Sequence, residues 1–519
     1  MPETVCILAA GKGSRLKDYT QSLNKSLLPI KKKAGISHII EKFKKNDNFI
    51  IALGYKGNQV KNFLKIKYPK HNFTFVKILN YYGKNSGPGH SLYKCKRFLK
   101  KPFYFVSCDT IWNKTRIPRQ QKINWMAVGE KNFKNSKNFC NLVTKKNLII
   151  SLHDKIEPKE THHQFTGLAY IYDWSIFWSL YRKEVILKEV QVSSGFNNLI
   201  NNRKVYIKKI DWYDIGTLEN YKKTIKSFEL YDFSKKSEFI YQNEKNIVKF
   251  YSDKQKMKKI LNRSKNLKNF VPKNIKIING FLCQDFVKGN VFYENLSPKL
   301  FIKLLDFLFS KFWKKNNKIN IDIEVKNFYK KKTYSRVNLY LKKYKKFEHE
   351  KIDNFKYPKI HYLLKKINWS ILENNTVASR FHGDLQFDNI IYNKKLKKFT
   401  LIDWRDTFEG NQKYGDLYYD LAKLFGGMKI NYSEIKKKNF YFFEKDLSVK
   451  FSMPEIKAYK SYEIIFKKQI EKRKFLFKKV KLLRAIIFLN MCPLHHYPFD
   501  IMLFNLAKKE LLNIINQKK

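Results

Sequence analysis

The chain opens on an apolar run, Val5-Cys6-Ile7-Leu8-Ala9-Ala10, that ends in Gly11-Lys12-Gly13-Ser14-Arg15. The small residues let the backbone from Leu8 to Gly13 approach a triphosphate, whose oxygens accept main-chain N–H bonds in an anion-binding nest. Lys12 and Arg15 add charge-assisted contacts to the same phosphates. Asp109 closes a second apolar run, Pro102-Phe103-Tyr104-Phe105-Val106-Ser107-Cys108. A carboxylate placed there can hold a divalent cation against an α-phosphate. A further polar set stands far downstream, with Asp384 and Asn389 in one loop and Asp403 after the next strand-like run. Taken singly, the glycine loop and Asp109 also read as ordinary turns. What matters is their company.

Lys25, in Asn24-Lys25-Ser26-Leu27-Leu28-Pro29, and Asp214, in Trp212-Tyr213-Asp214-Ile215-Gly216-Thr217, complete the first set. The four segments together resemble the sugar-phosphate and cholinephosphate nucleotidyltransferases, with their P-K-x-L-x-P and W-x-D-I-G-T segments. The resemblance covers roughly residues 1–225. It implies a Rossmann-like α/β sandwich in which Asp109 and Asp214 hold Mg²⁺ and position the α-phosphate. Lys25 and Arg15 are then catalytic, and Leu8, Ala9, Ala10, Gly11, Lys12 and Gly13 bind the nucleotide. A phosphomonoester attacks in line, pyrophosphate departs, and no protein nucleophile is needed. Gly87-Pro88-Gly89-His90-Ser91-Leu92 stands where relatives carry G-T-A-x-A-L beside the nucleobase, which makes Gly87 and Gly89 nucleotide-binding positions. The departure leaves CTP, UTP and GTP open. The Tyr- and Asn-rich flank at residues 79–93 is similar to cholinephosphate cytidylyltransferases and favours CTP. Phe165-Thr166-Gly167-Leu168 and Glu189 fall where relatives contact the acceptor, and read equally as ordinary strand and helix positions.

His382-Gly383-Asp384-Leu385-Gln386-Phe387-Asp388-Asn389, followed by Leu401-Ile402-Asp403-Trp404-Arg405, resembles the H-G-D-x-x-x-x-N loop and following Asp of the aminoglycoside- and choline-kinase phosphotransferases. That group has a two-lobed, protein-kinase-like α+β domain. The resemblance implies that Asp384 orients an acceptor hydroxyl and receives its proton, while Asn389 and Asp403 hold the Mg²⁺ ions bridging the ATP phosphates. Lys249, in Ile247-Val248-Lys249-Phe250, is the candidate for the strand lysine on the α/β-phosphates. Gln284-Asp285-Phe286-Val287-Lys288-Gly289 is similar to the hinge that receives adenine, with Gln284 and Phe286 as its nucleotide-binding positions. Two departures stand out. No glycine-rich loop precedes Lys249, and residues 251–270 contain no glutamate to pair with it. His382 and Gly383 read as supports of the loop, and Asp416 as the residue that braces it.

These groups need a scaffold. Residues 1–228 alternate strand-like and helical runs, which predicts a mainly parallel sheet covered by helices, with ligands at the carboxyl ends of the strands. The pattern changes near residues 229–238, the expected linker. Residues 239–519 begin with a hairpin region and continue as aromatic, lysine-rich helices. At 519 residues, two domains are the natural division. The formal charge of +62 comes from lysines spread through both halves, with Asn, Ile, Tyr and Phe also abundant. AT-rich coding bias and a solvated surface explain this better than a specific nucleic-acid site, which gathers its charge into a patch. The six cysteines are scattered without a CxxC pair, and no apolar window approaches a transmembrane length. A cytoplasmic location is expected.

The combined expectation is a bifunctional activating enzyme. ATP phosphorylates a small alcohol or sugar, and an NTP then couples to the resulting phosphomonoester, for capsule, lipopolysaccharide or surface-lipid decoration. The alternatives are an active nucleotidyltransferase with a regulatory kinase-like half, or a basic nucleic-acid binder on an enzyme scaffold.

Overall fold

The computed structural model describes residues 1–130, 136–179, 191–228, 235, 237–343, 348–454 and 458–517. Strand Thr4–Ala9 is buried along its whole length, as an unbroken apolar run requires when both faces of a parallel strand are covered. Its residues alternate between two cores. Val5, Ile7 and Ala9 pack with Phe49, Ile51, Tyr104 and Val106, whereas Cys6, Leu8 and Ala10 pack with Ile50, Ala52, Phe103 and Phe105. This period of two makes the N-terminal region a three-layer sandwich.

The sheet has nine strands, in the order Asn72–Lys77, Asn48–Leu53, Thr4–Ala9, Phe103–Ser107, His162–Ile171, Asn124–Gly129, Val205–Ile210, Leu148–Asp154 and Cys140–Lys145. The first four run parallel. His162–Ile171 is antiparallel to both of its neighbours, so the sheet is mixed rather than mainly parallel. Cys140–Lys145 and Leu148–Asp154 form an antiparallel hairpin, because a link that short cannot supply the crossover a parallel pair needs. Leu8 lies beside Ser107 in the register, which sets the glycine loop next to Asp109 at adjacent strand ends. A two-stranded ribbon then pairs Asp214 with Thr110 and carries the second carboxylate to the first.

The second half begins with an antiparallel sheet ordered Glu238–Gln242, Asn246–Tyr251, Phe281–Asp285, Lys276–Ile278. Helix Lys254–Asn266 is N-capped by Asp253, which accepts from the Gln255 and Lys256 amides. A hairpin of Ile390–Asn393 and Lys398–Leu401 follows the candidate loop, and the body is helical. Helix Leu417–Gly427 is buried at every position, and its two charged residues, Asp420 and Lys423, find partners inside the fold. The aromatic, lysine-rich pattern predicts a body dominated by helices. Strands Tyr441–Lys445 and Ser448–Ser452 nevertheless pair there, since aromatic and β-branched residues alternate within that lysine-rich stretch.

One apolar core crosses the expected boundary. Phe239, Tyr241, Val248, Phe250, Phe281 and Cys283 belong to the same cluster as Phe63, and the Phe63 and Tyr241 rings meet edge to face at 4.8 Å. The Tyr241 hydroxyl donates to the Leu27 carbonyl at 2.7 Å, and Lys67 Nζ donates to the Gln242 carbonyl at 2.9 Å. Of the expected linker, Lys235, Ser237 and Glu238 lie among the described residues. Glu238 already begins a strand. No helix among the described residues is long and apolar enough to cross a membrane.

Candidate active sites

At the first site the glycine loop and Lys25 are built as one unit. Gly13 has φ 69°, and a Cβ there would stand 3.0 Å from Lys25 Cβ and 3.2 Å from Thr20 Cγ2, so only glycine lets the lysine stem pass beneath the loop. Asn24 is fully buried and ties the turn to the sheet. Its amide donates to the Ala9 carbonyl at 3.1 Å and the Tyr55 carbonyl at 2.6 Å, and its oxygen accepts from the Ser26 amide at 2.9 Å. Lys25 Nζ then reaches Asp109 Oδ2 at 2.8 Å.

Gly216 shows how tightly the rest converges. A Cβ placed on it would lie 3.1 Å from Asp109 Oδ2, 3.1 Å from Asp214 Oδ1 and 3.6 Å from Arg15 Nη2. Asp214 Oδ1 accepts from the Gly216 amide at 3.1 Å, and Oδ2 accepts from Asn220 Nδ2 at 2.5 Å. The two carboxylates differ electrostatically. Burial, with the Asp109 charge adding to it, pushes Asp214 up to about 6. Burial works the same way on Asp109, but the Lys25 and Arg15 charges overcome it and hold that carboxyl below its ordinary range. Burial also opposes the Lys25 charge, and Asp109 outweighs it and raises the amine. An ionised and a destabilised carboxylate facing one another form a natural cation site. Among the described residues no group of three or more His, Cys, Asp or Glu is arranged to hold a metal. Mg²⁺, however, needs only one or two carboxylates when phosphates and water complete its shell, so Asp109 and Asp214 fit it.

The remaining candidates surround this centre. Lys12 Nζ lies 4.8 Å above the Tyr82 ring. Gly87 has φ 120°, precedes helix Pro88–Cys95, and accepts from Ser91 Oγ at 3.1 Å. Gly89 lies in that helix's first turn. Gly167 has φ 83°, and a Cβ there would stand 2.8 Å from Ser107 Cβ, so strand His162–Ile171 passes close by Asp109. Glu189 lies outside the described residues.

The second site forms where the four-stranded sheet faces the helical body. Lys249 is buried and ion-paired with Asp403, a residue held at φ 57°. Asn389 Nδ2 donates to the Asp384 carbonyl at 2.8 Å and lies 3.4 Å from its Oδ2. Asp384 Oδ1 accepts from Gln386 Nε2 at 3.1 Å and pairs with Lys423 Nζ at 2.9 Å. Against the cost of burial, the Lys423 charge draws Asp384 down to about 2. His382 Nε2 lies 3.0 Å from the Ile402 carbonyl, and its Nδ1 accepts from the Asp384 amide at 3.2 Å. This arrangement assigns the ring proton to Nε2. Burial lowers that imidazole to about 4, so it is neutral. Gln284 is buried. The Phe286 amide donates to the Lys245 carbonyl at 2.9 Å, which commits it to the sheet edge.

Several working residues escape a motif reading. Asp420, not Asp416, braces the loop: its carboxylate accepts from the His382 and Gly383 amides, both at 2.7 Å, and from Trp313 Nε1 at 3.1 Å. Asp416 instead caps helix Leu417–Gly427 and accepts from the Tyr329 hydroxyl at 2.9 Å. Glu238 adds a minor charge effect near Lys249, whose ion-pair partner is Asp403. Glu238 lies on the preceding strand and pairs with Lys256 on the helix, so the strand carries the acid and the helix the base. Arg263 is buried and donates to the Phe381 and Arg405 carbonyls on either side of the site. Lys423 and Arg263 did carry a signal, since a buried cation must find a partner.

The comparisons with known proteins fall on the first site. Residues 5–120 match the MobA-like NTP transferase domain. The chain is 29% identical over 215 residues to the bifunctional protein GlmU of Methanocaldococcus jannaschii, across 40% of this chain and 50% of that protein. It is 25% identical over 220 residues to the D-glycero-alpha-D-manno-heptose 1-phosphate guanylyltransferase of Campylobacter jejuni, across 41% of this chain and 95% of that protein. A solved structure, the putative glucose-1-phosphate thymidylyltransferase of Bacillus anthracis, aligns with a TM-score of 0.38 and 20% identity over 46% of this chain and 98% of its own. The N-terminal part of the chain is thus a MobA-like NTP transferase domain with sugar-phosphate nucleotidyltransferases among its relatives. The chain spans about half the length of the GlmU relatives it matches.

Proposed function

We propose that the chain activates a small hydroxyl compound in two steps, residues 239–519 phosphorylating it with ATP and residues 1–228 coupling the phosphomonoester to a nucleotide. The observation that carries the reading is the convergence of Asp109, Asp214 and Arg15 on Gly216, with Lys25 paired to Asp109. In the nucleotidyl step the glycine loop, Lys12 and Arg15 hold the triphosphate, and Lys25 stands beside the carboxylates to offset charge on the α-phosphate. The phosphomonoester oxygen forms the bond to the α-phosphorus as the bond to the β-phosphate oxygen breaks and pyrophosphate leaves. A bound Mg²⁺ would add neutralising charge on the phosphates at Asp109 and Asp214. The name of the Campylobacter relative specifies a sugar 1-phosphate acceptor, which supports a sugar here. The Tyr- and Asn-rich flank supports CTP, with UTP and GTP as the other arms of the assay.

For the phosphotransferase step, Asp384, kept ionised by the Lys423 charge, would take the acceptor's proton. Lys249, Asn389 and Asp403 would hold the ATP phosphates and their cations. The test supplies ATP, an NTP, Mg²⁺ and a panel of acceptors and follows ADP and pyrophosphate separately. Asp109→Ala should lower pyrophosphate release at least about a hundredfold while ADP formation continues. Asp384→Asn should do the reverse when a phosphomonoester is supplied. Full pyrophosphate release by Asp109→Ala would remove that residue from the site, unchanged ADP formation by Asp384→Asn would remove Asp384 from the second site, and no ADP from any acceptor would dismiss the phosphotransferase.

A further inference from the structure

One side of Asp384 carries cations. Lys423 Nζ stands 2.9 Å from Asp384 Oδ1. The Arg405 stem packs against the loop itself, since a Cβ on Gly383 would lie 2.6 Å from Arg405 Cβ. The Arg405 guanidinium lies 4.8 Å, and the Lys332 ammonium 3.6 Å, from the centre of the same Phe328 ring. Arg336 follows Lys332 by four residues in helix Lys332–Lys343, which puts both on one helix face. Lys332, Arg336 and Arg405 are largely buried but not sealed from solvent.

These groups strain one another. Burial, then Arg405, Arg336 and Lys423, push Lys332 down to about 6, with Glu409 pulling the other way, so its amine is largely neutral at pH 7 and takes up a proton when an anion arrives. Burial and Arg405 lower Arg336. The groups acting on Lys249 are instead Asp403, Tyr251 and Glu238. Asp388, in the same loop, has Lys436 acting on it. A quaternary ammonium or other cation brought to Asp384 would meet this cluster and be repelled. An anion would relieve it.

We propose that the acceptor phosphorylated at Asp384 is itself an anion, a sugar or polyol bearing a phosphate or carboxylate that Lys332, Arg336 and Arg405 hold. This rests on the phosphotransferase reading of the second site. The acceptor oxygen bonds to the γ-phosphorus of ATP, the bond from that phosphorus to the β-phosphate oxygen breaks, the hydroxyl proton passes to Asp384, and ADP leaves. Lys423, already on Asp384, presents its charge to the arriving phosphoryl group.

The test measures ADP formation by the full chain with a hexose 6-phosphate, a hexuronate, the free hexose and choline as acceptors. A charge-assisted contact of typical strength predicts a kcat/KM at least about tenfold higher for an anionic sugar than for the free hexose. The phosphate and carboxylate arms show which anion is used. Lys332→Met with Arg336→Gln should raise KM for the anionic acceptor about tenfold or more, with a much smaller change in kcat, and Arg336→Lys should restore part of it. Pyrophosphate release at the first site checks that each variant is folded. Equal or better use of hexose or choline, or an unchanged KM in the double variant, overturns the anionic acceptor while leaving the phosphotransferase standing. No ADP from any acceptor, with pyrophosphate release intact, overturns both.

Discussion

Asp214→Asn should make the protein more stable and inactive at its first site. Burial and the neighbouring Asp109 raise the Asp214 carboxyl from 3.8 to about 6, and a shift of roughly two units corresponds to about 3 kcal/mol against the ionised form at neutral pH. The amide removes that charge but keeps one acceptor where the carboxylate has two, serving the Gly216 amide and Asn220. Turning or losing one of these bonds costs about 1 kcal/mol, which leaves a net gain of about 2 kcal/mol and a melting midpoint higher by several degrees. The sign depends on pH. The folded carboxyl lies above its unfolded value, so its penalty is absent below 3.8, grows as pH rises through that value and is complete above about 6. Thermal unfolding of both proteins without divalent ions should therefore separate them at pH 7.5 and not at pH 4. A variant no more stable than wild type at pH 7.5, or equally advantaged at both pH values, would refute the account of the carboxylate pair.

Other outcomes follow from particular contacts. Tyr241→Phe removes the donor to the Leu27 carbonyl and should cost about 0.5–1.5 kcal/mol; because Leu27 lies in the Lys25 turn, KM for the phosphomonoester should rise as well, and no change in either would show the two halves to be independent. Asp420→Asn leaves one acceptor for the His382 and Gly383 amides, so ADP formation should fall while pyrophosphate release from a supplied phosphomonoester holds. Gel-shift titrations with DNA and RNA should find binding that is sequence-blind and lost by physiological salt, as diffuse charge predicts; tight selective binding there would mean the lysines form a site.

How much of this was legible depended on whether the chemistry lay within a short segment. The glycine loop, Lys25, Asp109 and Asp214 are each carried by a local pattern, and the strand order brings them together. The loop from His382 to Asn389 was legible for the same reason. Contacts made across the fold were not. Nothing in the sequence shows that Asp109, Asp214 and Arg15 pack around Gly216, or that Asn24 holds Ala9 and Tyr55. Asp416 and Asp420 share one segment, and only the helix direction decides which of them faces the loop. The reversed strand His162–Ile171 was hidden because buried strands look alike whichever way they run.

The central claim is that one phosphate passes through both sites, and labelling the γ-phosphate of ATP tests it directly. The full chain is incubated with labelled ATP, an unlabelled NTP, Mg²⁺ and the acceptor that supports ADP formation, and the products are separated. The account predicts label first in the acceptor's phosphomonoester and then in the diphosphate bridge of the nucleotide-linked product, with unlabelled pyrophosphate released. Label that stays in the phosphomonoester while the NTP remains intact would contradict it.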